Sequence, residues 1–255
     1  MEQGMEQSTV ITGVSGATVE LTPTGAVKYA PPALWARLDA QAQYMAEHGA
    51  PFARVLGIAQ GRYWMERLQP LPTTTASTQL LLFGAEQSLR PLWARPAHLD
   101  ADWAALHLAY VESLCALHNL PKTFDRLWSD WHNIAPLPLT VCTTHGDATL
   151  DNMLLAEDGS PRWVDPLPAS GVIPPLLAVD LGKLLQSADG YELRKYGSGW
   201  GPAVDHAVVL EGHNEWDVLA ARYFRAVAYL RMLRYVRGEN LDYAQKEMEC
   251  YTCLT

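Results

Sequence analysis

The pattern of apolar and polar positions changes character near residue 70. Before that point, short stretches rich in β-branched and aromatic residues favour β-strands. Five strands are predicted between Thr9 and Leu68, in the segments TVITGVS, ATVELT, AVKYA, ARVLGIA and RYWMERL. One helix is predicted among them, from about Pro32 to His48, and the turn PTG at residues 23–25 suits a hairpin.

The segment LQPLPTTTAST separates this region from the rest, because prolines and clustered threonines cannot continue a central strand or a helix. Beyond it, helical patterns run from about Thr78 to Leu92, from Asp100 to Leu117 and from Glu215 to Val236. Residues 137–165 instead predict short strands around a loop and a turn at EDGSP. The chain is therefore predicted to be an α+β protein with a small, β-rich N-terminal lobe over residues 1–70 and a larger, mainly helical C-terminal lobe over residues 71–255.

Composition and charge narrow the class of protein. A chain of 255 residues with 49% hydrophobic content can bury a sizeable core. A formal net charge of −9 argues against a nucleic acid polymer or an anionic membrane as partner, since both require a basic surface. The longest apolar stretch, GVIPPLLAV, is too short and too rich in proline to span a bilayer, and the N-terminus lacks a signal-peptide pattern. We expect a cytoplasmic protein.

The four cysteines are too few and too scattered to form a disulfide framework. Only Cys250 and Cys253, in CYTC, have the spacing of metal ligands, and they supply half of a tetrahedral zinc site. With no second pair to complete that site, the pattern favours two reduced thiols in a C-terminal tail.

The segment HGDATLDN carries the clearest chemistry. Asp147 and Asn152 lie five positions apart, and the next acidic residue within an apolar strand is Asp165 in RWVDP. Phosphoryl transfer from ATP needs a carboxylate that orients the acceptor hydroxyl and oxygen ligands for Mg²⁺. The catalytic loop of protein kinases, followed by a metal-binding aspartate, has the same order and spacing. These three residues could therefore supply the base and the metal ligands.

HGDATLDN together with WVDP resembles the H-G-D-x-x-x-x-N motif and the following aspartate of the aminoglycoside phosphotransferase and choline kinase superfamily. The resemblance extends from about Val10 to Ser187. It implies a bilobal protein-kinase-like fold, ATP and Mg²⁺ as cofactors, and a small-molecule hydroxyl as acceptor.

The resemblance also implies the roles of individual residues. Asp147 would be the catalytic base, and Asn152 and Asp165 would bind the metal. His145 would position the loop, and Asp180, in AVDLGKLLQS, would hold the loop's backbone. The alternative for Asp180 is a simple helix N-cap.

The predicted N-terminal lobe offers candidates for binding ATP. Lys28, in AVKYA, is expected to reach the phosphates, although it could instead be a solvent-facing strand lysine. In YWMERLQP, backbone groups at Glu66 and Leu68 would face adenine. Small residues of GVSGATVEL could bring backbone N–H groups close to phosphates, or could form an ordinary turn: Gly13, Ser15 and Gly16.

The orienting partner of Lys28 departs from the pattern of the superfamily. Related enzymes have a glutamate on the following helix, whereas here the candidates are Asp39, Gln41 and Glu47. None of them stands at an unambiguous position.

The nature of the acceptor is open. VDLGKLLQSADGYE is similar to a segment of phosphotransferase-like proteins of bacterial surface-sugar pathways, which favours a sugar or another polyhydroxylated metabolite. An aminoglycoside or amino alcohol is the alternative, supported by acidic residues in the expected acceptor region: Asp205, Glu211, Glu215 and Asp217. A further alternative is a nucleotide-binding pseudokinase with a regulatory role.

The segment GSGWGPAVDHAVVLEGHNEWD contains candidates for acceptor binding, Trp200, Asp205 and His206. An aromatic face next to polar groups suits a polar ligand. The same composition would also fit an irregular connection between two helices.

Overall fold

Both strands and helices are present in the computed structural model, which describes residues 9–12, 16–72, 78–170, 172–196, 203–233 and 235. The α+β prediction is confirmed. The chain divides into two units. Unit 1 comprises Met1–Leu71 and Asn152–Pro168, and unit 2 comprises Pro72–Asp151 and Ala169–Thr255.

Unit 1 contains a five-stranded antiparallel sheet with the strand order β1-β2-β3-β5-β4. Each strand overlaps a segment predicted from the sequence, and each predicted segment extends beyond the observed strand at one end or more. β3 begins at Gly25, one residue before its predicted segment and within the predicted turn. Residues 13–15 of the first segment lie outside the described residues. The strands are β1 (Thr9–Thr12), β2 (Thr18–Thr22), β3 (Gly25–Tyr29), β4 (Val55–Ala59) and β5 (Arg62–Met65).

The predicted N-terminal helix begins as a short 3₁₀ turn, Pro32–Leu34, and continues as α1 (Trp35–His48). The helix packs on β4 and β5. It buries residues at helical spacing on one face, Leu38, Gln41, Ala42 and Met45. Thr22 pairs with Gly25 across the predicted hairpin turn between β2 and β3.

A second, two-stranded sheet consists of β6 (Met153–Leu155) and β7 (Pro161–Trp163). The sequence prediction placed this hairpin in the C-terminal lobe, whereas residues 152–168 belong to unit 1. Backbone hydrogen bonds explain the difference. Gln69 and Leu155 exchange two of them, both at 2.8 Å, and Trp163 accepts one from Ala53 at 2.9 Å. Such long-range pairing leaves no local signal in the sequence.

Unit 2 is helical in its described parts. Its helices are α2 (Thr78–Trp93), α3 (Trp103–Leu117), α4 (Pro121–Ile134), α5 (Leu177–Ala188), α6 (Tyr191–Tyr196), α7 (Ala207–Leu210) and α8 (Glu215–Met232). The predicted helices correspond to α2, α3 and α8. Helix α4 was missed, although Pro121 at its first position and the buried Leu127, Trp131 and Ile134 are typical of an amphipathic helix.

Helix α5 forms the centre of unit 2, because all its residues are buried and it packs along α8. Gly182 permits this close approach. A Cβ atom at Gly182 would lie 2.8 Å from the backbone nitrogen of Arg225 and 2.8 Å from the Cβ of Phe224. Across the described residues, no helix is long and apolar enough to span a membrane.

Gly182→Ala should lower the free energy of unfolding by about 1–3 kcal/mol, because the added methyl group overpacks the contact between α5 and α8. Gly84→Ala on α2 is the matched control, since its Cβ would meet nothing within 4 Å. A helical glycine with free space should gain about 0.5–1 kcal/mol on replacement by alanine. Urea unfolding of both variants measures the two effects. Equal stability of the two variants would contradict the role of Gly182.

Candidate active site

The loop that carries the predicted catalytic residues is anchored by one buried carboxylate. Asp180 lies in the first turn of α5 and is 0% exposed. Its Oδ2 accepts hydrogen bonds from the backbone nitrogen of His145 at 2.8 Å and from Nε1 of Trp93 at 2.9 Å. Its Oδ1 accepts one from the backbone nitrogen of Gly146 at 2.7 Å. Asp180 thus fixes the two peptide groups just before Asp147.

The glycine of the motif has a conformational reason. Gly146 has φ = 77°, a left-handed backbone conformation that residues with a Cβ atom rarely adopt.

Burial raises the pKa of Asp180 above its usual range, while His145 and the three hydrogen-bond donors oppose the shift.

Asp147 follows directly and meets a cation within unit 2. Its Oδ1 lies 3.0 Å from Nζ of Lys183, and its backbone nitrogen donates to Nδ1 of His145 at 3.2 Å. Burial alone would raise the pKa of Asp147, but the charge and hydrogen bond of Lys183, with the charges of Arg231 and His145, hold it well below its usual range. The carboxylate is therefore ionised at neutral pH.

The loop beyond Asp147 is also tied to unit 2. The backbone nitrogen of Leu150 donates to Oγ of Ser187 and to Oε1 of Glu192, both at 3.0 Å. Asp151 forms an ion pair with Lys195 at 2.6 Å. Burial raises the pKa of Glu192 to about 7, and the charge of Asp151 adds to the shift. These contacts fix the loop at both ends.

The predicted metal ligands belong to unit 1. The backbone carbonyl of Asn152 accepts a hydrogen bond from Val164 at 2.9 Å, one residue before Asp165. Asp165 has φ = 57°, a strained conformation that is uncommon for a residue with a side chain. Its side chain is 39% exposed and forms an ion pair with Lys28, whose side chain is 7% exposed. The structure thus brings Lys28 and Asp165 together.

The three candidate partners of Lys28 on α1 have other environments. Gln41 is buried and donates through Nε2 to the carbonyl of Pro166 at 2.8 Å. Oδ1 of Asp39 accepts from the backbone nitrogen of Gly61 at 3.3 Å, and Glu47 is exposed. Among the described residues, the ion pair of Lys28 is with Asp165 and not with α1.

Tyr63 was not foreseen from the sequence. It stands opposite Lys28 in the register of β3 and β5, so both side chains lie on the same face of the sheet. Its side chain is 0% exposed, and within the described chain its hydroxyl has no hydrogen-bond partner. Burial and the charge of Asp165 raise the pKa of Tyr63 well above its usual range.

The other predicted ATP-binding residues are less informative. Gly13 and Ser15 lie outside the described residues, and Gly16 is exposed, with φ = 83°. The backbone nitrogen of Glu66 donates to the carbonyl of Arg54 at 3.0 Å, so it is already engaged. Leu68 is half-buried in the extended segment after β5. Adenine binding at Glu66 and Leu68 stays a prediction.

The predicted acceptor residues take part in local structure where they are described. Oδ1 of Asp205 accepts from the backbone nitrogen of Ala207 at 2.8 Å. Nε2 of His206 lies 2.8 Å from Oδ1 of Asp189. Trp200 lies outside the described residues. Acceptor binding by these three residues stays a prediction.

Lys183 is the main residue of unit 2 that the sequence analysis missed. It stands three positions after Asp180, so both side chains lie on one face of α5. This spacing could have identified Lys183. If Asp180 faces the loop, a residue one helical turn later lies on the same face of α5 and can also contact the loop.

Within the described chain, no group of three or more His, Cys, Asp or Glu side chains could hold a metal ion. Cys250 and Cys253 lie outside the described residues. The side chains of Asn152 and Asp165 offer oxygen atoms as metal ligands, and Mg²⁺ prefers oxygen ligands. In proteins, Mg²⁺ is commonly held by one or two side chains together with phosphate groups. The donor set therefore fits Mg²⁺ bound together with a nucleotide.

No protein-family model matches the sequence, and no curated protein matches it either. Solved structures do match. The chain is similar to choline kinase LicA from Streptococcus pneumoniae, with a TM-score of 0.61, 12% identity and coverage of 98% of this chain and 94% of the other. It is similar to a choline/ethanolamine kinase family protein from Mesorhizobium loti, with a TM-score of 0.55, 16% identity and coverage of 99% and 89%.

A third match is the ternary complex of APH(2")-IIa with streptomycin and ATP, with a TM-score of 0.59, 12% identity and coverage of 96% and 91%. The chain therefore has the protein-kinase-like fold that these small-molecule kinases share. The expected resemblance to aminoglycoside phosphotransferases and choline kinases is confirmed at the level of the fold.

Asp180→Asn should lower the free energy of unfolding by about 1–3 kcal/mol, because the amide group presents N–H to at least one backbone donor that needs an acceptor. Asp180→Ala should cost more, since it leaves the buried donors of His145, Gly146 and Trp93 without this acceptor. Urea unfolding measures both, and Asp125→Asn on the exposed face of α4 is the control. Near wild-type stability of Asp180→Asn would show that Asp180 matters for its volume and not for its hydrogen bonds.

Proposed function

We propose that the protein is an ATP- and Mg²⁺-dependent O-phosphotransferase that acts on a hydroxyl group of a small molecule. The observation that carries the proposal is the loop in unit 2, where Asp180 fixes the backbone before Asp147 and Lys183 keeps the Asp147 carboxylate ionised. The shared fold supports the reaction class, because the matched proteins are described as kinases of choline and as a complex with ATP and an aminoglycoside.

Asp147 would orient the acceptor hydroxyl and accept its proton. A carboxylate with a lowered pKa is a weak base, so its main contribution would be to position the nucleophile. This suits phosphoryl transfer, because the loose transition state demands alignment and charge stabilisation more than early proton removal. The hydrogen bonds of Asp180 to the loop keep that alignment.

Unit 1 would hold the nucleotide and the metal. Lys28 would bind phosphate oxygens, and Asn152 and Asp165 would provide the oxygen ligands of Mg²⁺. A Mg²⁺ ion held by these two side chains would supply positive charge that offsets the negative charge on the phosphates. The partial exposure of Asp165 leaves its carboxylate accessible, whereas the burial of Lys28 limits the directions in which its ammonium can point.

The acceptor that we favour is a sugar or another polyhydroxylated metabolite. The acidic residues that favoured an amine acceptor lend it little support. Asp217 is fully buried and accepts hydrogen bonds from the backbone nitrogen of Thr140 at 3.0 Å and from the side chain of Asn214. Glu211 and Glu215 are exposed to solvent.

A nucleotide-binding pseudokinase is the second candidate. It is favoured by the direct contact of Lys28 with Asp165, because this contact occupies both groups that would meet phosphate and metal. It is opposed by the ionised Asp147 in its anchored loop, for which a regulatory protein has no need.

Asp147→Asn should lower the rate of phosphoryl transfer by about two orders of magnitude or more, because it removes the carboxylate that orients the acceptor hydroxyl and finally takes up its proton. The affinity for Mg²⁺-ATP should change little, as measured by the shift in melting temperature with ATP. The assay follows ADP release with a panel of hydroxylated compounds, and Asp125→Asn is again the control.

Turnover near the wild-type level in Asp147→Asn would eliminate Asp147 as the base. If the wild-type protein binds Mg²⁺-ATP but transfers phosphate to no compound and does not hydrolyse ATP, the pseudokinase is correct. If it binds no nucleotide, both candidates are wrong.

A further inference from the structure

A positively charged group lies directly beside the Asp147 carboxylate. Lys183 lies 3.0 Å from the Asp147 carboxylate, and its Nζ also donates to Oε1 of Gln186 at 2.6 Å. The lysine is buried on α5, one turn after Asp180. Its ammonium is therefore a fixed part of the site and not a mobile surface charge.

A second cation faces the same region of unit 2. Arg231, in the last turn of α8, and Lys183 line one narrow cavity of about 10 Å³, together with His107, Tyr110 and apolar side chains. No carboxylate is among the described residues that line it. A volume of this size accepts a single water-sized group, such as one oxygen atom of an anion.

Within the described part of the chain, no hydrogen bond or ion pair to the side chain of Arg231 is found. Two other cationic side chains of unit 2 do form ion pairs. Lys195 pairs with Asp151 at 2.6 Å, and Arg225 pairs with Asp189 at 2.5 Å. The charges of Lys183 and Arg231 both lower the pKa of Asp147.

Two cationic side chains, Lys183 and Arg231, and no carboxylate line this cavity among the described residues, so the lining of the cavity is positively charged. A half-buried arginine whose side chain has no hydrogen bond or ion pair within the described residues is a ready site for phosphate or carboxylate, because its guanidinium forms charge-assisted hydrogen bonds with such anions. An ammonium group in this place would be repelled, because like charges in a partly dry site disfavour each other strongly.

We propose that the acceptor carries a negative group, either phosphate or carboxylate, which Arg231 and Lys183 bind while the acceptor hydroxyl faces Asp147. The inference rests on the proposed phosphotransferase activity and names its substrate class. In the reaction, the acceptor oxygen forms a bond to the γ-phosphorus of ATP. The bond between that phosphorus and the bridging oxygen breaks, ADP leaves, and the hydroxyl proton passes to Asp147.

The test compares matched acceptors that differ only in charge. Mg²⁺-ATP consumption is measured with hexoses, hexose monophosphates, hexuronic acids and hexosamines, and the phosphate and carboxylate arms separate the two anions. An anionic arm should show a kcat/KM at least about tenfold above the neutral arm, since one charged hydrogen-bonded contact is worth that factor or more. The amine arm should be the poorest. A preference for the neutral or the amine arm would overturn the inference.

A second experiment tests Arg231 itself. Arg231→Gln should raise the KM for the anionic acceptor by about 10- to 100-fold and leave the KM for ATP nearly unchanged. Arg222→Gln is the matched control, because Arg222 lies on the exposed face of the same helix. An unchanged acceptor KM in Arg231→Gln, or an equal loss in Arg222→Gln, would contradict the assignment.

If no compound of the panel is phosphorylated, measurements of acceptor binding test the inference instead. Calorimetry with the same compounds, in the presence of a non-hydrolysable ATP analogue, should show binding of an anionic arm that Arg231→Gln weakens. Binding of the amine arm alone, or of no arm, would overturn the inference. Loss of binding of the ATP analogue would instead refute the proposed function, so the two failures are distinguishable.

Discussion

The hydrogen bonds between the Asp180 carboxylate and the backbone of His145 and Gly146 are the constraint on which the rest of the candidate site depends. An irregular loop with several polar groups would adopt many conformations if nothing fixed its peptide groups. Asp180 can fix them because it lies at the start of α5, a helix whose residues are all buried. The close contact of α5 with α8 at Gly182 holds that helix in turn.

The same helix also influences the charge of Asp147, the candidate catalytic residue. Lys183 projects from the next turn of α5 and meets Asp147, so one helix carries both the carboxylate that fixes the loop and a cation that lowers the pKa of Asp147. Unit 1 relies on a different pair. Lys28 contacts Asp165 directly, and the buried residue of α1 near this segment is Gln41, which hydrogen-bonds Pro166 instead of meeting the lysine with a carboxylate. Each unit therefore contains its own pairing of a lysine with an aspartate.

Much of this arrangement could be predicted from the sequence. The spacing of Asp147, Asn152 and Asp165 indicated the fold. These residues lie close together along the chain, so their order and spacing can be seen directly in the sequence. Helix α4 was missed although its apolar spacing was visible. The assignment of β6 and β7 to unit 1 could not be predicted from the sequence, because it depends on backbone hydrogen bonds to residues far away in the chain, such as Gln69.

Electrostatic neighbours were the least predictable part of the site. The position of Lys183 beside Asp147 required the three-dimensional path of the loop past α5. The place of Tyr63 opposite Lys28, where its hydroxyl has no hydrogen-bond partner among the described residues, required the register of β3 and β5. In both cases the residue is visible in the sequence, but its surroundings follow only from the three-dimensional structure.

A crystal structure with Mg²⁺ and a non-hydrolysable ATP analogue tests the central claim most directly. We predict that the metal is bound by the side chains of Asn152 and Asp165, and that Nζ of Lys28 has left Asp165 for a phosphate oxygen. A nucleotide bound elsewhere, with the ion pair between Lys28 and Asp165 intact and no metal on either ligand, would contradict the account.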